Sequence, residues 1–465
     1  MISPVFPSIF SDKIRRYYSA ETDVAPLIIF RIIFGVIMAA GIVRFAALGW
    51  IHEQYIAPTF HFSYYGFGWV SPLPPTGMYA VFLLMFLAAL GIISGWHYRI
   101  SSSLFFLLFT YVELLDKSYY LNHYYFVSII SAILIFLPAN AELSFDKLRK
   151  PLISKRLIPR WYVDILKFQI GLVYFYAGIA KINSDWLCSA MPLILWLPAQ
   201  DNLPVLGVFF RYEITAFIVS WCGMLFDVVA PFALLWKRTR VAAYCVVIIF
   251  HTITGLLFQI GIFPVVMTGA VLIFFSPEFH RKTVHYIRKN TNSIAGIIAK
   301  TLRNTSGKFS RKTVLFRIPH YPICIIFCIH AVVQIVFPWR FLLYPGELFW
   351  TEEGYRFSWR VMLMEKAGTA TFYVKDSRSG REGVVNNAEF LNPTQEKQMA
   401  MQPDMIAQFA RFLHDHYSTT VYQPQVRVEA YATLNGRPSR LLIDPTVNLA
   451  AEHDDIAPKR WILRY

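Results

Sequence analysis

WYVDILKFQIGLVYFYAGIAKINSDW, residues 161–186, decides how the rest of the chain is read. Residues 165–180 are almost unbroken apolar, and the only charge among them, Lys167, lies within a turn or two of the start, so the stretch is expected to form one membrane-spanning helix. Lys181 closes it. Steps of three and four back from Lys181 reach Gly178, Ala177, Tyr174 and Gly171, which puts the lysine on a face of small residues and one tyrosine. Small residues let a second helix approach closely in lipid. An amine held against such packing, partly out of water, is disfavoured as a cation and becomes available as a base. The competing reading is a lysine snorkelling to the headgroups, as Lys167 would at the opposite end.

Around this stretch the chain is 56% hydrophobic, and its mean hydropathy of +0.44 calls for several membrane spans. Nine are expected, near 24–46, 77–95, 100–115, 121–139, 162–180, 213–236, 241–258, 260–276 and 319–338, the third and eighth being short. The first is long enough to stay in the bilayer, and the residues before it carry no small-residue cleavage site, so no cleavable signal peptide is expected. A net charge of +15 could suggest nucleic acid, but the basic residues sit between apolar segments and are very unevenly shared. Segments that would face one side (1–23, 96–99, 140–161, 237–240 and 277–318) hold 23 Lys plus Arg, whereas the opposite loops hold only Lys117, Lys181 and Arg211. The positive-inside rule then puts the N-terminus in the cytosol. An odd number of spans puts the C-terminal segment outside, in a periplasm or lumen. Four of the five cysteines fall within spans and Cys188 lies beside one, so neither a disulfide framework nor a metal site is expected.

The fold class expected is therefore a polytopic α-helical membrane protein of about nine spans, residues 1–338, followed by an extracytoplasmic α+β domain, residues 339–465. In that domain TFYVKD (371–376) and REGVVN (381–386) read as a hairpin, and 394–416 has helical periodicity. VRVEAYATLNGRPSRLLID (426–444) reads as a second hairpin turning at Asn435-Gly436. The outer loop FHFSYYGFGWVSPLPP (60–75) is aromatic and uncharged, as expected of a segment lying in the membrane interface. The segment 277–318, ending in TLRNTSGKFSRKT, reads as a basic, flexible or surface-lying connector in which His280 and His285 are solvated.

Ionisable groups inside spans are costly and therefore candidates for function or internal pairing. Arg31 and Asp227 lie at matching depths from the cytosolic side and are expected to pair. His123, Asn122 and Lys181 all fall near the outer edge, where an imidazole, an amide and an amine could form a polar site for an amphipathic ligand drawn from lipid.

These residues resemble the vitamin K-dependent gamma-glutamyl carboxylases and their bacterial relatives. Four motifs recur in order, from the first span to about residue 445: DKSYYLNHYYF (116–126), YFYAGIAKINSDW (174–186), FHTITGLLFQIGIFP (250–264) and EGYRFSWRVML (353–363). The resemblance implies that Lys181 is the catalytic base and His123 the functional histidine. It makes Asn122, Tyr174 and His251 the candidate quinone-binding residues, and Tyr355 and Trp359 the candidate contacts to a glutamate-containing peptide or protein. The activity implied is oxidation of vitamin K hydroquinone by O2 to the epoxide, coupled to addition of CO2 at the glutamate γ-carbon. Animal members have two adjacent lysines where this chain has Ala180-Lys181. They also tie the first outer loop to the lumenal domain by a disulfide, whereas neither region contains cysteine here, so that docking must be non-covalent. They extend further and capture substrates through a propeptide, which leaves epoxidation the better supported half of the reaction. A quinone epoxidase without carboxylation, a transporter and a non-catalytic protein retaining the fold are the alternatives. The partners expected are membrane lipid and the glutamate-containing peptide or protein; nucleic acid is not expected, and the oligomeric state is not legible.

Overall fold

The computed structural model describes residues 16–258, 260–290, 320–376, 378–419 and 422–465. Each of the nine apolar segments folds as helix: α1 (Ala25–Ala47), α2 (Pro75–Ser94), α3 (Tyr98–Leu115), α4 (Asn122–Phe136), α5 (Trp161–Ala180), α6 (Glu213–Leu235), α7 (Arg240–Leu257), α8 (Phe263–Val271) and α9 (His320–Val336). Proline opens several of them in the first turn, where its missing N–H costs nothing, and Gly95 closes α2 at φ 63°.

Among the described residues seven helices are long and apolar enough to cross a bilayer. The exceptions are α4 and α8. At 15 residues α4 rises about 22 Å, short of a hydrocarbon core of about 30 Å, because the Leu137-Pro138 step ends it. The α8 segment, Phe263–Phe274, meets the helix Pro277–Asn290 at 111° and counts as an eighth span only if the bent pair crosses as one. The rest of the expected basic connector, including TLRNTSGKFSRKT, lies outside the described residues. His280 departs from expectation: it is buried at this bend, its Nε2 3.0 Å from the Leu272 carbonyl, while His285 is exposed as expected.

The face of small residues on α5 is its contact with α6. A Cβ on Gly178 would stand 2.7 Å from the Val228 backbone nitrogen and 3.0 Å from the Asp227 carbonyl carbon, so only glycine permits this approach; Gly171 lies against Pro231 in the same seam. The expected Arg31–Asp227 pair does not form. Arg31 is fully buried and donates to the backbone carbonyls of Ile92 (2.8 Å), Ile93 (3.0 Å) and Leu143 (2.6 Å), meeting the orphan acceptors at the end of α2, while Asp227 faces α5.

A short ribbon of β1 (Glu21–Asp23) and β2 (Leu157–Pro159) joins the chain before α1 to the chain before α5. The C-terminal part is α+β: an antiparallel sheet of β3 (Lys366–Lys375), β4 (Glu382–Val384), β5 (Gln425–Leu434) and β6 (Arg440–Leu441) in the order β4-β3-β5-β6. Phe372 on β3 and alternate residues of β5 (Val426, Val428, Ala430, Ala432 and Leu434) are buried in one core with Met405, Phe409 and Leu413. Both expected hairpins form. The single expected helix is two, α10 (Pro393–Met399) and α11 (Pro403–Tyr417), because each begins at a proline.

This unit shares its apolar core with Phe62, Trp186, Met224 and Leu257 of the membrane part. The aromatic loop explains how. Its first half docks beneath the C-terminal part rather than lying free in the interface: Phe60 packs on Phe409 and Phe412, Gln395 donates to the Phe60 carbonyl (2.8 Å), and Gln408 donates to Ser63 Oγ (2.6 Å). The stretch from Tyr65 to Trp69 stays exposed, and Val70 is buried again. All five cysteines are free thiols, so the docking is non-covalent, as expected.

Candidate functional site

Lys181 is the first residue past α5, and its side chain folds back along that helix. Nζ donates to Asp227 Oδ2 at 2.8 Å and to the Ala177 carbonyl at 3.2 Å, and lies 5.3 Å from the centre of the Trp186 ring. Only 7% of the lysine side chain and 6% of the aspartate side chain are exposed, so the pair is sealed from bulk solvent. The close approach at Gly178 brings the Asp227 backbone level with the end of α5. Asp227 lies about 21 Å along α6 from Glu213, so the amine is level with the middle of α6 rather than with its end. Trp186 is fixed from two sides: Asn183 caps its short helix through the Trp186 N–H (2.9 Å), and its indole N–H donates to the Ser220 carbonyl (2.9 Å).

Two turns earlier on α5, Tyr174 Oη is 2.7 Å from His251 Nε2 on α7, both buried. The other ring nitrogen of His251 is buried and has no hydrogen-bond partner among the described residues. These groups meet in a cavity of about 90 Å³ lined by Tyr174, Lys181, Asp227, His251, Phe263 and Met362, with apolar side chains filling the rest of the wall.

The structure therefore brings together three of the residues singled out from sequence: Lys181, Tyr174 and His251. His123 sits one ring away. It packs on Phe263 (ring centres 5.5 Å apart), and Phe263 stands edge-on to His251 (5.7 Å), so the two imidazoles are separated by one phenyl group. Asn122 lies outside the cavity. It accepts from Tyr120 Oη (3.0 Å) and donates to the Arg360 carbonyl (2.7 Å), bracing the segment 353–363 against the start of α4. Tyr355 packs edge-on to Phe349. Trp359 is fully buried, stacked on Tyr125 and donating to Gln334 Oε1 (3.2 Å).

Two features escaped the sequence reading. Asp227 was visible as an intramembrane acid, but depth along a helix carries no information about which neighbour it faces. Met362 and Val361, rather than Tyr355 and Trp359, are the residues of EGYRFSWRVML that reach the cavity wall. They reach it because the backbone there is held in the left-handed region at Phe357 (φ 60°), Trp359 (58°) and Met362 (52°), conformations that bulky residues adopt at a cost and that cluster at functional sites.

Outside the spans, a second set of charges joins the two parts of the molecule. Asp404, at the start of α11, receives Lys117 Nζ (2.8 Å) and Arg356 (2.8 Å). Despite the cost of withdrawing it from water, Arg356 and Lys117 hold its carboxyl well below the usual carboxylate range. Asp116 accepts from Gln395 Nε2 (2.7 Å), and burial pushes its carboxyl up to about 6 against the hydrogen bonds from Ser118 and Gln395. Asp185, one turn after Lys181, accepts from Asn435 (2.7 Å) and pairs with Arg437. Asn435 and Gly436 hold the positive φ of the hairpin turn, 51° and 72°, so the turn residues themselves dock on the membrane part.

Fold and site together define a multi-pass membrane protein with a sealed amine–carboxylate pair beneath a docked α+β domain. Residues 19–279 match the HTTM domain family and residues 320–465 match the lumenal domain of vitamin K-dependent gamma-carboxylase; the chain belongs to this carboxylase-like family. The second match puts the C-terminal domain on the extracytoplasmic side. No solved structure matches the chain.

Proposed function

We propose that the chain is a vitamin K hydroquinone-dependent carboxylase and epoxidase, with Lys181 as the base that begins the reaction. The observation that carries this reading is the Lys181–Asp227 pair, walled off from water and opening onto a cavity that also holds the Tyr174–His251 pair. Vitamin K hydroquinone, when bound and oxidised by O2 to the epoxide, would supply the strong base that takes the glutamate γ-proton, after which CO2 adds to that carbon. The residues present suit such a ligand: the wall is apolar and aromatic, and the unpartnered His251 Nδ1 offers one buried polar group to a phenol. At about 90 Å³ the cavity is smaller than the 300–1,000 Å³ of ordinary ligand pockets, so entry of a bicyclic head needs side chains to move aside, and Met362 is the flexible one.

For Lys181 to accept a proton, the proton shared across the 2.8 Å contact must rest on Asp227. That relocation leaves the net charge of the pair unchanged, which is what a poorly hydrated site tolerates best. Asp227 then positions the amine and stores its proton. Tyr174 fixes His251, and His123, behind Phe263, orders the far wall. The lysine and arginine asymmetry supports a cytosolic N-terminus, and nine crossings are recovered if α4 and the bent α8 segment each cross; residues 1–338 would form the catalytic membrane domain, and 339–465 would present the peptide through the segment carrying Tyr355 and Trp359.

The test is to incubate purified protein with vitamin K hydroquinone, oxygen, labelled bicarbonate and a glutamate-containing peptide, following epoxide and label separately. Epoxide with labelled peptide is the expected result. Epoxide without label reduces the assignment to a quinone epoxidase. Neither product, with hydroquinone demonstrably bound, overturns it.

A further inference from the structure

A second and larger cavity, about 340 Å³, lies on the other side of α4 and shares no lining residue with the first. Its floor is the α4 row Tyr125, Ser128, Ile129, Ala132, Ile133 and Phe136, faced by α3 and by Ile326, Phe327 and His330 of α9. From Tyr125 to Phe136 the helix rises about 16 Å, so the cavity is a slot running along the bundle, not a globular hole. Its two ends differ in chemistry. The end near Phe136 and Phe327 is hydrocarbon throughout. The end near Tyr125 contains the Glu113 carboxyl, which accepts from Ser128 Oγ, with Thr110 beside it (Oγ1 3.4 Å from Ser128 Oγ) and Tyr64 and Phe357 closing the top.

Glu113 lies within the last turn of a membrane-spanning helix and has no part in the Lys181 chemistry. A carboxyl at that position is expensive unless something uses it. Only one of its oxygens is engaged by Ser128, and the slot begins where the other side of the group ends. We propose that this slot is a binding site for a long-chain lipid alcohol, whose hydroxyl donates to Glu113 and whose single chain runs down the α4 floor toward Phe136 and Phe327. A carboxylate head would find no lysine or arginine in the lining of the slot to balance its charge. A two-chain lipid would exceed a slot one helix face wide. The polar tip and apolar shaft match an amphiphile drawn sideways from the bilayer. The proposal does not rest on the carboxylase reading.

The experiment uses the full chain in detergent and a long-chain primary alcohol carrying a mid-chain diazirine and a terminal alkyne. After irradiation, peptide mapping is expected to place the label on 129–136 and 326–330, and unlabelled alcohol is expected to compete it away. Ala132→Trp, which fills the slot, should remove the label, and Glu113→Leu should weaken it roughly tenfold, the loss of a hydrogen bond to a carboxyl. Should Ala132→Trp fail to fold, competition and Glu113→Leu on folded protein decide the matter. Label spread evenly over the exposed faces of α6 and α7, or insensitive to competitor and to Glu113→Leu, overturns the site. Equal labelling by the fatty acid of the same length overturns the choice of head group.

Discussion

The molecule contains two lysine–aspartate contacts of the same length in different surroundings. Lys181–Asp227 and Lys117–Asp404 are both 2.8 Å long. In the first, both side chains are under a tenth exposed, the carboxylate has a single cation, and the pair borders a cavity. In the second, Asp404 is 41% exposed and shared with Arg356, and it joins the C-terminal domain to the loop after α3. A sealed pair with one proton and one partner can exchange that proton with a bound ligand. A part-exposed carboxylate held by two cations is a clasp. Contact length alone therefore says little about role; the number of partners and access to water decide it.

The sharpest way to break this distinction is to remove each lysine in turn. Lys181→Ala is expected to lower epoxide formation by roughly 10²–10⁴-fold, the usual share of a general base, while Lys117→Ala leaves turnover within a few-fold. Comparable losses from both, measured on folded protein, would erase the contrast. Next in size is stability. Removing one member of a buried pair strands the other, so Asp227→Leu should destabilise by about 3 kcal/mol in thermal unfolding. Adding Lys181→Met should restore most of that loss without restoring turnover, since apolar replacement of both members is often neutral. A double variant no more stable than Asp227→Leu would mean that the two side chains are not coupled.

Much of this was legible in the sequence, and the misses have a common cause. The face Gly171, Tyr174, Ala177, Gly178 and Lys181 could be read as a close helix contact because helical periodicity fixes which side chains share a side. The Asn435-Gly436 turn was equally local. Pairings between helices were not local: Arg31 and Asp227 lie at matching depths, yet rotation about each helix axis turned one toward the carbonyls at the end of α2 and the other toward α5. The aromatic run 60–75 suggested an interface, but the same rings serve a protein core when a domain docks on them, as Phe60 does with Phe409 and Phe412. Glu113 and Gln334 were not singled out at all, because their partners Ser128, Tyr125 and Trp359 come from other elements.

Smaller effects sharpen the picture of the clasp. Asp404→Ala should cost about 2 kcal/mol, less than Asp227→Leu because the carboxylate is 41% exposed and screened, yet more than a surface pair because Lys117 is left buried, and it should raise hydrogen exchange in α10 and α11 while leaving epoxide formation unchanged. Loss of turnover in step with domain loosening would instead make the clasp part of the active machinery.

The smallest effect distinguishes Asp404 from its neighbour Asp116, and it is a matter of pH. Asp404 is held well below the usual carboxylate range, so its contribution is complete above the unfolded value near 4 and is lost only in stronger acid; nothing changes between pH 5 and 7. Asp116 has the opposite sign. Burial pushes its carboxyl up to about 6, so between about pH 4 and 6 the folded protein binds a proton that the unfolded chain does not. Stability carried by this group is therefore greatest in mild acid and declines as pH rises through 6. Acidifying from pH 7 to 5 should add about 1 kcal/mol through this group, and Asp116→Asn should remove that increment while Asp404→Asn does not. Thermal unfolding of the three proteins at the two pH values measures it. An increment that survives Asp116→Asn would assign the acid response to another group, and one abolished by Asp404→Asn would show that the two carboxylates titrate as one unit across the domain junction.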